Sequence, residues 1–148
     1  MYRFTDWRFL EGGRLLERGI QIARMLARLT RTGAPDGALD MMLEIGDSVM
    51  THRRQYAVQS GRRTVVDLLA LDPPNPRSVL FQLERLKDEI DHLPNAGGHG
   101  LSEPAKEVWR LHTWLATREA ADLSPEALDQ IAWDVGGLYD KISQAYFG

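Results

Sequence analysis

The chain has 148 residues, 43% hydrophobic and 26% charged, which is long enough for one globular domain with a sizeable core. It contains no cysteine, and this excludes a disulfide framework and a thiolate metal site. No apolar run approaches the ~20 residues that span a bilayer. Because residues 1–13 also lack the apolar segment of a signal peptide, we expect a cytoplasmic protein without membrane contact.

The net charge of −3 is the sum of two unlike halves: residues 1–63 carry +4 (11 basic, 7 acidic) and residues 64–148 carry −7 (7 basic, 14 acidic). Of the 18 basic residues, 15 are arginine, the side chain suited to bidentate contacts with carboxylates and phosphates. Solvated helix faces would give the same composition. The pI near 5.8 argues against nucleic-acid binding, which favours a basic domain.

The first predicted helix runs from about Thr5 to Thr30. Its inward side has helical spacing: Gly12, Leu15, Gly19, Ile22, Ala23, Leu26 and Leu29. The opposite side is polar: Glu11, Arg14, Glu17, Arg18, Gln21, Arg24 and Arg28. The segment TGAPDGA then breaks the chain, and a second helix is predicted from about Leu39 to Val58. The run TVVDLLAL follows and is predicted to be a short helix, because no partner strand is found elsewhere.

A helix capped by Asn75 is predicted next, with Pro76 at its first position. This interpretation places Arg77 in the first turn, where a cation opposes the helix dipole at a cost of about 0.3–1 kcal/mol. We therefore predict an anionic partner for Arg77, either Asp72 on the incoming loop or Glu17 of the first helix. The alternative is that Arg77 extends into water, where the dipole is screened.

Two further helices complete the prediction. Ser102 caps a helix that extends to about Glu119, and Ser124 caps the last helix with Pro125 at its first position. Leu123 and Leu128 are placed for a hydrophobic staple across that cap. The sequence therefore predicts an all-α protein, a single antiparallel helical bundle of about five to six helices over residues 1–148.

Motifs for catalysis or metal binding are weak. The sequence has no G-x-S-x-G, H-E-x-x-H, P-loop or G-x-G-x-x-G motif. Glu89 and His92 have the i, i+3 spacing of helical di-iron sites, but such a site needs a second pair and further carboxylates, so no metal and no cofactor is expected. His52 and His112 are interpreted as histidines at the edge of the core, and the loop residue His99 as solvated.

A set of arginines and carboxylates is the stronger candidate site. Arg14, Glu17 and Arg18 share one helix face, which by itself is an ordinary exposed face of little energetic value. Further candidates are placed so that they could converge on one end or flank of the bundle. They are Arg53 and Arg54 at the end of the second helix, and Asp67, Asp72 and Arg77 around the Asn75 turn.

These blocks resemble the Alpha-E domain family, a bacterial all-helical family named for its Glu-Arg motif. The resemblance is carried by FLEGGRLLERGIQIARML, DSVMTHRRQY, VVDLLALDPPNPRSVLFQLERL and LYDKISQAYF, and it extends from about Trp7 to Phe147. Family members are roughly twice as long and consist of two similar halves, and this chain resembles the second half. The Glu-Arg motif corresponds to Glu17 and Arg18, preceded by Arg14. The Asn-Pro-x-Ser block corresponds to Asn75, Pro76, Arg77 and Ser78.

The resemblance implies a context and no mechanism. Alpha-E proteins occur beside, or fused to, a circularly permuted ATP-grasp ligase, often near a transglutaminase-like peptidase, which implies a role in making or modifying a peptide. We expect a helical partner of such a ligase that binds an anionic group through arginines. Two alternatives stay open: an enzyme of the same pathway with Glu17 as acid/base, and a purely structural dimerisation module. Because a half-length member lacks its other half, we also expect a homo-oligomer, with an exposed patch near Trp7, Phe9 and Leu10 or near Tyr146 and Phe147.

Overall fold

The computed structural model describes residues 2–31, 33, 34, 37, 41, 62–91 and 102–146. Its helices are α1 (Tyr2–Leu29), α2 (Arg62–Val66), α3 (Val79–Asp91), α4 (Glu103–Ala116) and α5 (Pro125–Tyr146). A π-helical turn, Asp67–Leu71, continues α2, and a 3₁₀ turn, Ala120–Asp122, lies between α4 and α5. No strand occurs among these residues, so the all-α prediction is confirmed, and TVVDLLAL is helical as expected. Apart from Met41, the predicted helix Leu39–Val58, with Arg53 and Arg54, lies outside the described residues.

The four long helices form a closed ring in which each packs against two neighbours. Helices α1 and α4 each lie against both α3 and α5. Side-chain contacts show that α1 runs antiparallel to α3, because Gly12 lies beside Leu86 and Gly19 beside Gln82. Helix α1 also runs antiparallel to α5, since Gly19 lies beside Val135 and Arg31 bonds to Asp129.

Helices α3 and α4 are antiparallel too, and so are α4 and α5. Asp91 accepts a hydrogen bond from Trp109 Nε1 at 3.1 Å, while Glu84, two turns earlier, lies 3.4 Å from His112. Across the next pair of helices, Glu107 bonds to Lys141 at 3.4 Å. All four neighbouring pairs are therefore antiparallel, as the sequence predicts.

The core is aliphatic and extends through the ring. Its fully buried members come from every helix and include Leu26, Leu69, Leu83, Leu115, Leu123, Leu128 and Ile131. Leu123 and Leu128 flank the Ser124 cap and are completely buried, as a hydrophobic staple requires. Ser124 Oγ accepts a hydrogen bond from Ala127 N at 3.1 Å, and Ser102 Oγ accepts one from Ala105 N at 3.3 Å. Both predicted caps are confirmed.

The end of α4 differs from the prediction, because the helix stops at Ala116 instead of Glu119. Asp122 Oδ2 accepts a hydrogen bond from Glu119 N at 2.9 Å, so Glu119 begins the 3₁₀ turn. The half-buried Arg62 of α2 donates to the carbonyl oxygens of Ala120 and Leu123 and thereby ties α2 to this connection.

Candidate functional site

The segment between α2 and α3 is a hydrogen-bonded turn in which Asn75 and Ser78 are buried, while Pro73, Pro74, Pro76 and Arg77 are exposed. The Asn75 side chain is 2% exposed. Its Nδ2 donates to Leu68 O at 2.9 Å, within the π-helical turn, and its Oδ1 accepts from Arg77 N at 3.1 Å. Asn75 thus satisfies a carbonyl group of one helix and an amide group of the next turn. A π-helical turn frequently marks a functional site, but here its visible role is to position this turn.

Ser78, and not Asn75, is the N-cap of α3. Ser78 Oγ accepts from Phe81 N at 3.0 Å, donates to Asp72 O at 2.6 Å, and the first helical hydrogen bond runs from Gln82 N to Ser78 O. The prediction of a helix that starts at Pro76 is therefore wrong. Two cap-forming residues three positions apart make two successive turns, and only the second continues as a helix. Arg77 is exposed and lies before the N-cap, so it is not a residue of the first helical turn.

Gln82 belongs to this turn, although the sequence analysis did not single it out. Its side chain is 2% exposed, and Nε2 donates to Pro76 O at 2.7 Å and to Ser78 O at 3.2 Å. Within the described residues its Oε1 has no hydrogen-bond partner. The burial of Gln82 could have been inferred from the sequence, because Gln82 lies next to the apolar positions Val79, Leu83 and Leu86.

From Leu10 onwards, where its side chains are described, α1 carries four exposed arginines on its outer side, which we call the arginine surface: Arg14, Arg18, Arg24 and Arg28. At 100° per residue they lie within an arc of about 120°. Among the described residues none of the four forms an ion pair. Glu17, on the same side, is also exposed and accepts a hydrogen bond from Gln21 at 3.4 Å. The Glu-Arg residues therefore belong to an accessible surface, whereas Asn75 and Ser78 are buried in the turn before α3.

The helix register separates Glu17 from Arg77. Gly19 lies at the level of Gln82, so Glu17 is two residues beyond that level and Arg77 is five residues before it. At 1.5 Å per residue the two positions differ by about 10 Å along the bundle. The Glu17–Arg77 contact stays a prediction, and both side chains would have to extend fully to form it.

Acidic groups lie near the π-helical turn. Burial raises the pKa of Asp67 above its ordinary value of 3.8, while Arg63 opposes this shift and the charges of Asp72 and Glu119 add to it. The Arg63 Nε–Asp67 Oδ2 distance is 4.0 Å. No group of three acidic or histidine side chains in the described part of the chain could hold a metal ion. His92, His52 and His99 lie outside that part, whereas His112 is 15% exposed and lies at the core edge, as predicted.

A groove between α4 and α5 was not anticipated from the sequence. It has a volume of about 660 Å³. Leu111, Trp114, Ile131, Trp133 and Leu138 supply its apolar lining, and Arg110, Asp134 and Lys141 are among the polar groups at its edge. Trp133 is 73% exposed and Trp114 41% exposed. Helical periodicity gave no signal, because both tryptophans fall outside the buried stripes. We call this feature the tryptophan groove.

The fold and these surfaces define an all-helical bundle with a basic outer helix and no recognised catalytic constellation among the described residues. The chain belongs to the Alpha-E family, described as a predicted alpha-helical domain with a conserved ER motif, whose family model matches residues 1–147. The resemblance found in the sequence is thereby confirmed over essentially its whole length. Glu17–Arg18 on α1 carries that motif by resemblance, and Glu84–Arg85 on α3 is a second Glu-Arg pair.

The chain is also similar to uncharacterised proteins of Mycobacterium tuberculosis (strains H37Rv and CDC 1551) and Mycobacterium bovis. The identity is 27% over 152 aligned positions, which cover all of this chain and 16% of each relative. The chain thus spans about a sixth of the length of these relatives. No solved structure matches. None of the helices described here is long and apolar enough to cross a membrane.

Proposed function

We propose that this chain is a helical accessory domain of an ATP-grasp peptide ligase, and that it binds an anionic group of the ligase or of its peptide through the arginine surface. The ligase context comes from the Alpha-E resemblance. Similarity to one sixth of much longer proteins also fits a domain that works within a larger assembly. The partner is therefore a ligase of this class or a transglutaminase-like protein from the same system.

The observation that carries the proposal is that the arginine surface is exposed and has no ion-pair partner among the described residues. In the described part of the chain, Arg31 bonds to Asp129 and Arg110 to Glu107, whereas Arg14, Arg18, Arg24 and Arg28 have no carboxylate partner. A guanidinium group is weakly hydrated and presents a planar pair of donors to a carboxylate or phosphate. Successive arginines at i, i+4 are about 6 Å apart along the helix, so one extended anionic segment can contact several of them.

The test is co-purification of the ATP-grasp ligase with tagged chain, with and without ATP. Arg14→Glu/Arg18→Glu should remove the ligase from the eluate, because like charges replace the attraction. Arg63→Glu is the control for charge reversal elsewhere on the surface, since Arg63 is 88% exposed but belongs to α2, and it should leave capture unchanged. Equal capture by the parent and by the charge-reversed variant would overturn the proposal.

The enzymatic alternative, with Glu17 as acid/base, has less support. Glu17 is exposed on an outer helix face and lines neither the tryptophan groove nor the smaller cavity between α4 and α5. General acid/base catalysis works best where water is excluded and a substrate is held within hydrogen-bonding distance. Turnover by the purified chain that is lost in Glu17→Gln would establish the enzyme instead.

A further inference from the structure

The tryptophan groove is an apolar surface that the described residues of its own chain leave open. The Glu107–Lys141 contact sets the register of the antiparallel helices α4 and α5. In that register Trp114 lies at the level of Asp134, next to Trp133. The groove therefore has one indole on each wall at the same height, and Trp133 is the more exposed of the two.

We propose that a second copy of this chain covers the groove, with Trp133 of each copy inserted into the tryptophan groove of the other. The two copies are related by a two-fold axis parallel to the helices. Such an axis preserves the height of every residue, so each Trp133 arrives at the level of Trp114 on its partner. One contact is thus made twice, which closes the assembly as a dimer.

The size of the groove fits this occupant. A volume of about 660 Å³ is ample for an indole ring together with the neighbouring turn of its helix. Leu111, Ile131 and Leu138 form the floor that would contact the ring. Tryptophan is enriched among the residues that dominate the energetics of interfaces, because it buries a large rigid surface at a small cost in conformational entropy.

Charge favours this two-fold axis over the perpendicular one. Helix α5 carries four carboxylates and one lysine, whereas the charges of α4 balance, with Lys106 and Arg110 against Glu103 and Glu107. An axis parallel to the helices places the acidic α5 over the neutral α4 of the partner. A perpendicular axis would place α5 over its own copy and bring like charges together, which is unfavourable.

The contact area limits the expected strength. Helix α4 has 14 residues and is about 21 Å long, and two adjacent helices are about 20 Å wide, so the dimer would bury on the order of 1,000 Å² in total. This value is at the lower end for a specific interface, and we expect a dissociation constant in the micromolar range. The dimer leaves the arginine surface uncovered, so it can fail without affecting the proposed function.

The test is analytical ultracentrifugation of the parent and two variants over a wide range of protein concentrations. Trp133→Ala removes the inserting side chain and one wall of the groove, but keeps the floor formed by Leu111, Ile131 and Leu138 and the facing Trp114. Gly137→Trp fills the groove and keeps Trp133, and a Cβ added at Gly137 meets no atom within 4 Å, so the chain itself should tolerate a side chain there. Tyr139→Ala is the control, because Tyr139 is 56% exposed on α5 but does not line the groove.

The parent and Tyr139→Ala should dimerise, while each groove variant alone should be monomeric. An equimolar mixture of Trp133→Ala and Gly137→Trp should regain association, since one Trp133 can then enter one open groove. A parent that stays monomeric at several hundred micromolar would overturn the proposal. Dimers of the same affinity in both groove variants, or no recovery on mixing, would also overturn it.

Discussion

Asn75 shows how one side chain can organise a connection between helices. Its amide donates to Leu68 O and its carbonyl oxygen accepts from Arg77 N, and the whole side chain is buried. The sequence marked Asn75 as a capping residue, which is correct for the turn and wrong for the helix. Ser78 at the next possible cap was the competing signal, and single-residue propensity could not decide between them.

Substitutions at Asn75 should separate its two hydrogen bonds. Asn75→Ala loses both and should lower the free energy of unfolding by about 1–3 kcal/mol, because the buried groups lose their partners. Asn75→Asp keeps an acceptor for Arg77 N but brings a carboxylate against Leu68 O, and it should destabilise at least as much at pH 7. Chemical denaturation measures both. Wild-type stability in Asn75→Asp would show that the bond to Leu68 O contributes little.

Asp67 should make the free energy of unfolding fall as the pH rises. A carboxylate whose pKa is lowered by an ion pair has the opposite effect. Burial raises the pKa of Asp67, so the ionised form destabilises the fold. The stabilisation that comes from a protonated Asp67 is fully present below about pH 3.8, and it is lost as the pH rises through the raised pKa. Asp67→Asn should therefore raise the thermal midpoint at pH 7 by a small amount, and this gain should shrink towards pH 4. A gain that grows on acidification would contradict the assignment.

At the scale of elements, α1 has an inward side that packs against α3 and α5 and an outer side that forms the arginine surface. Its inward side was predicted nearly residue by residue, because a 3.6-residue period reports burial directly. The groove between α4 and α5 was not predicted, since it depends on the distance between two helices and not on the period of either. The same limit applies to the turn around Asn75, where contacts made by Leu68 and Gln82 decide the geometry.

Gly19 gives a test of how closely α1 packs on its neighbours. A Cβ there would lie 3.7 Å from Val135 Cγ1 and 3.8 Å from the Cβ of Gln82, which is ordinary van der Waals contact. Gly19→Ala should therefore raise the free energy of unfolding by up to about 1 kcal/mol, because alanine favours the helix. Gly13→Ala, with no atom within 4 Å, is the control for helix propensity alone. A loss of stability at position 19 but not at 13 would show tighter packing.

At the scale of the whole molecule, the closed ring of antiparallel helices directs different surfaces to different sides. Helix α1 contacts α3 and α5 and lies diagonally across from α4. The arginine surface on α1 and the tryptophan groove beside α4 can therefore work independently. The sequence predicted the fold class, the caps of α4 and α5 and the arginines of α1. It could not predict which arginines have no ion-pair partner in the described part of the chain, because pairing depends on the tertiary neighbours of each side chain.

The central claim, that the arginine surface binds an anionic partner, is tested most directly by fluorescence anisotropy with a labelled oligoglutamate peptide at several salt concentrations. We expect saturable binding that weakens as salt rises, and a loss of at least tenfold in affinity in Arg14→Glu/Arg18→Glu, with the affinity of Arg63→Glu close to that of the parent. The charge-reversed variant should stay folded with a slightly lower thermal midpoint, since like charges at i, i+3 or i, i+4 cost about 0.2–0.5 kcal/mol while these exposed side chains make no described contact. Binding that is the same in the parent and in the charge-reversed variant would contradict the account.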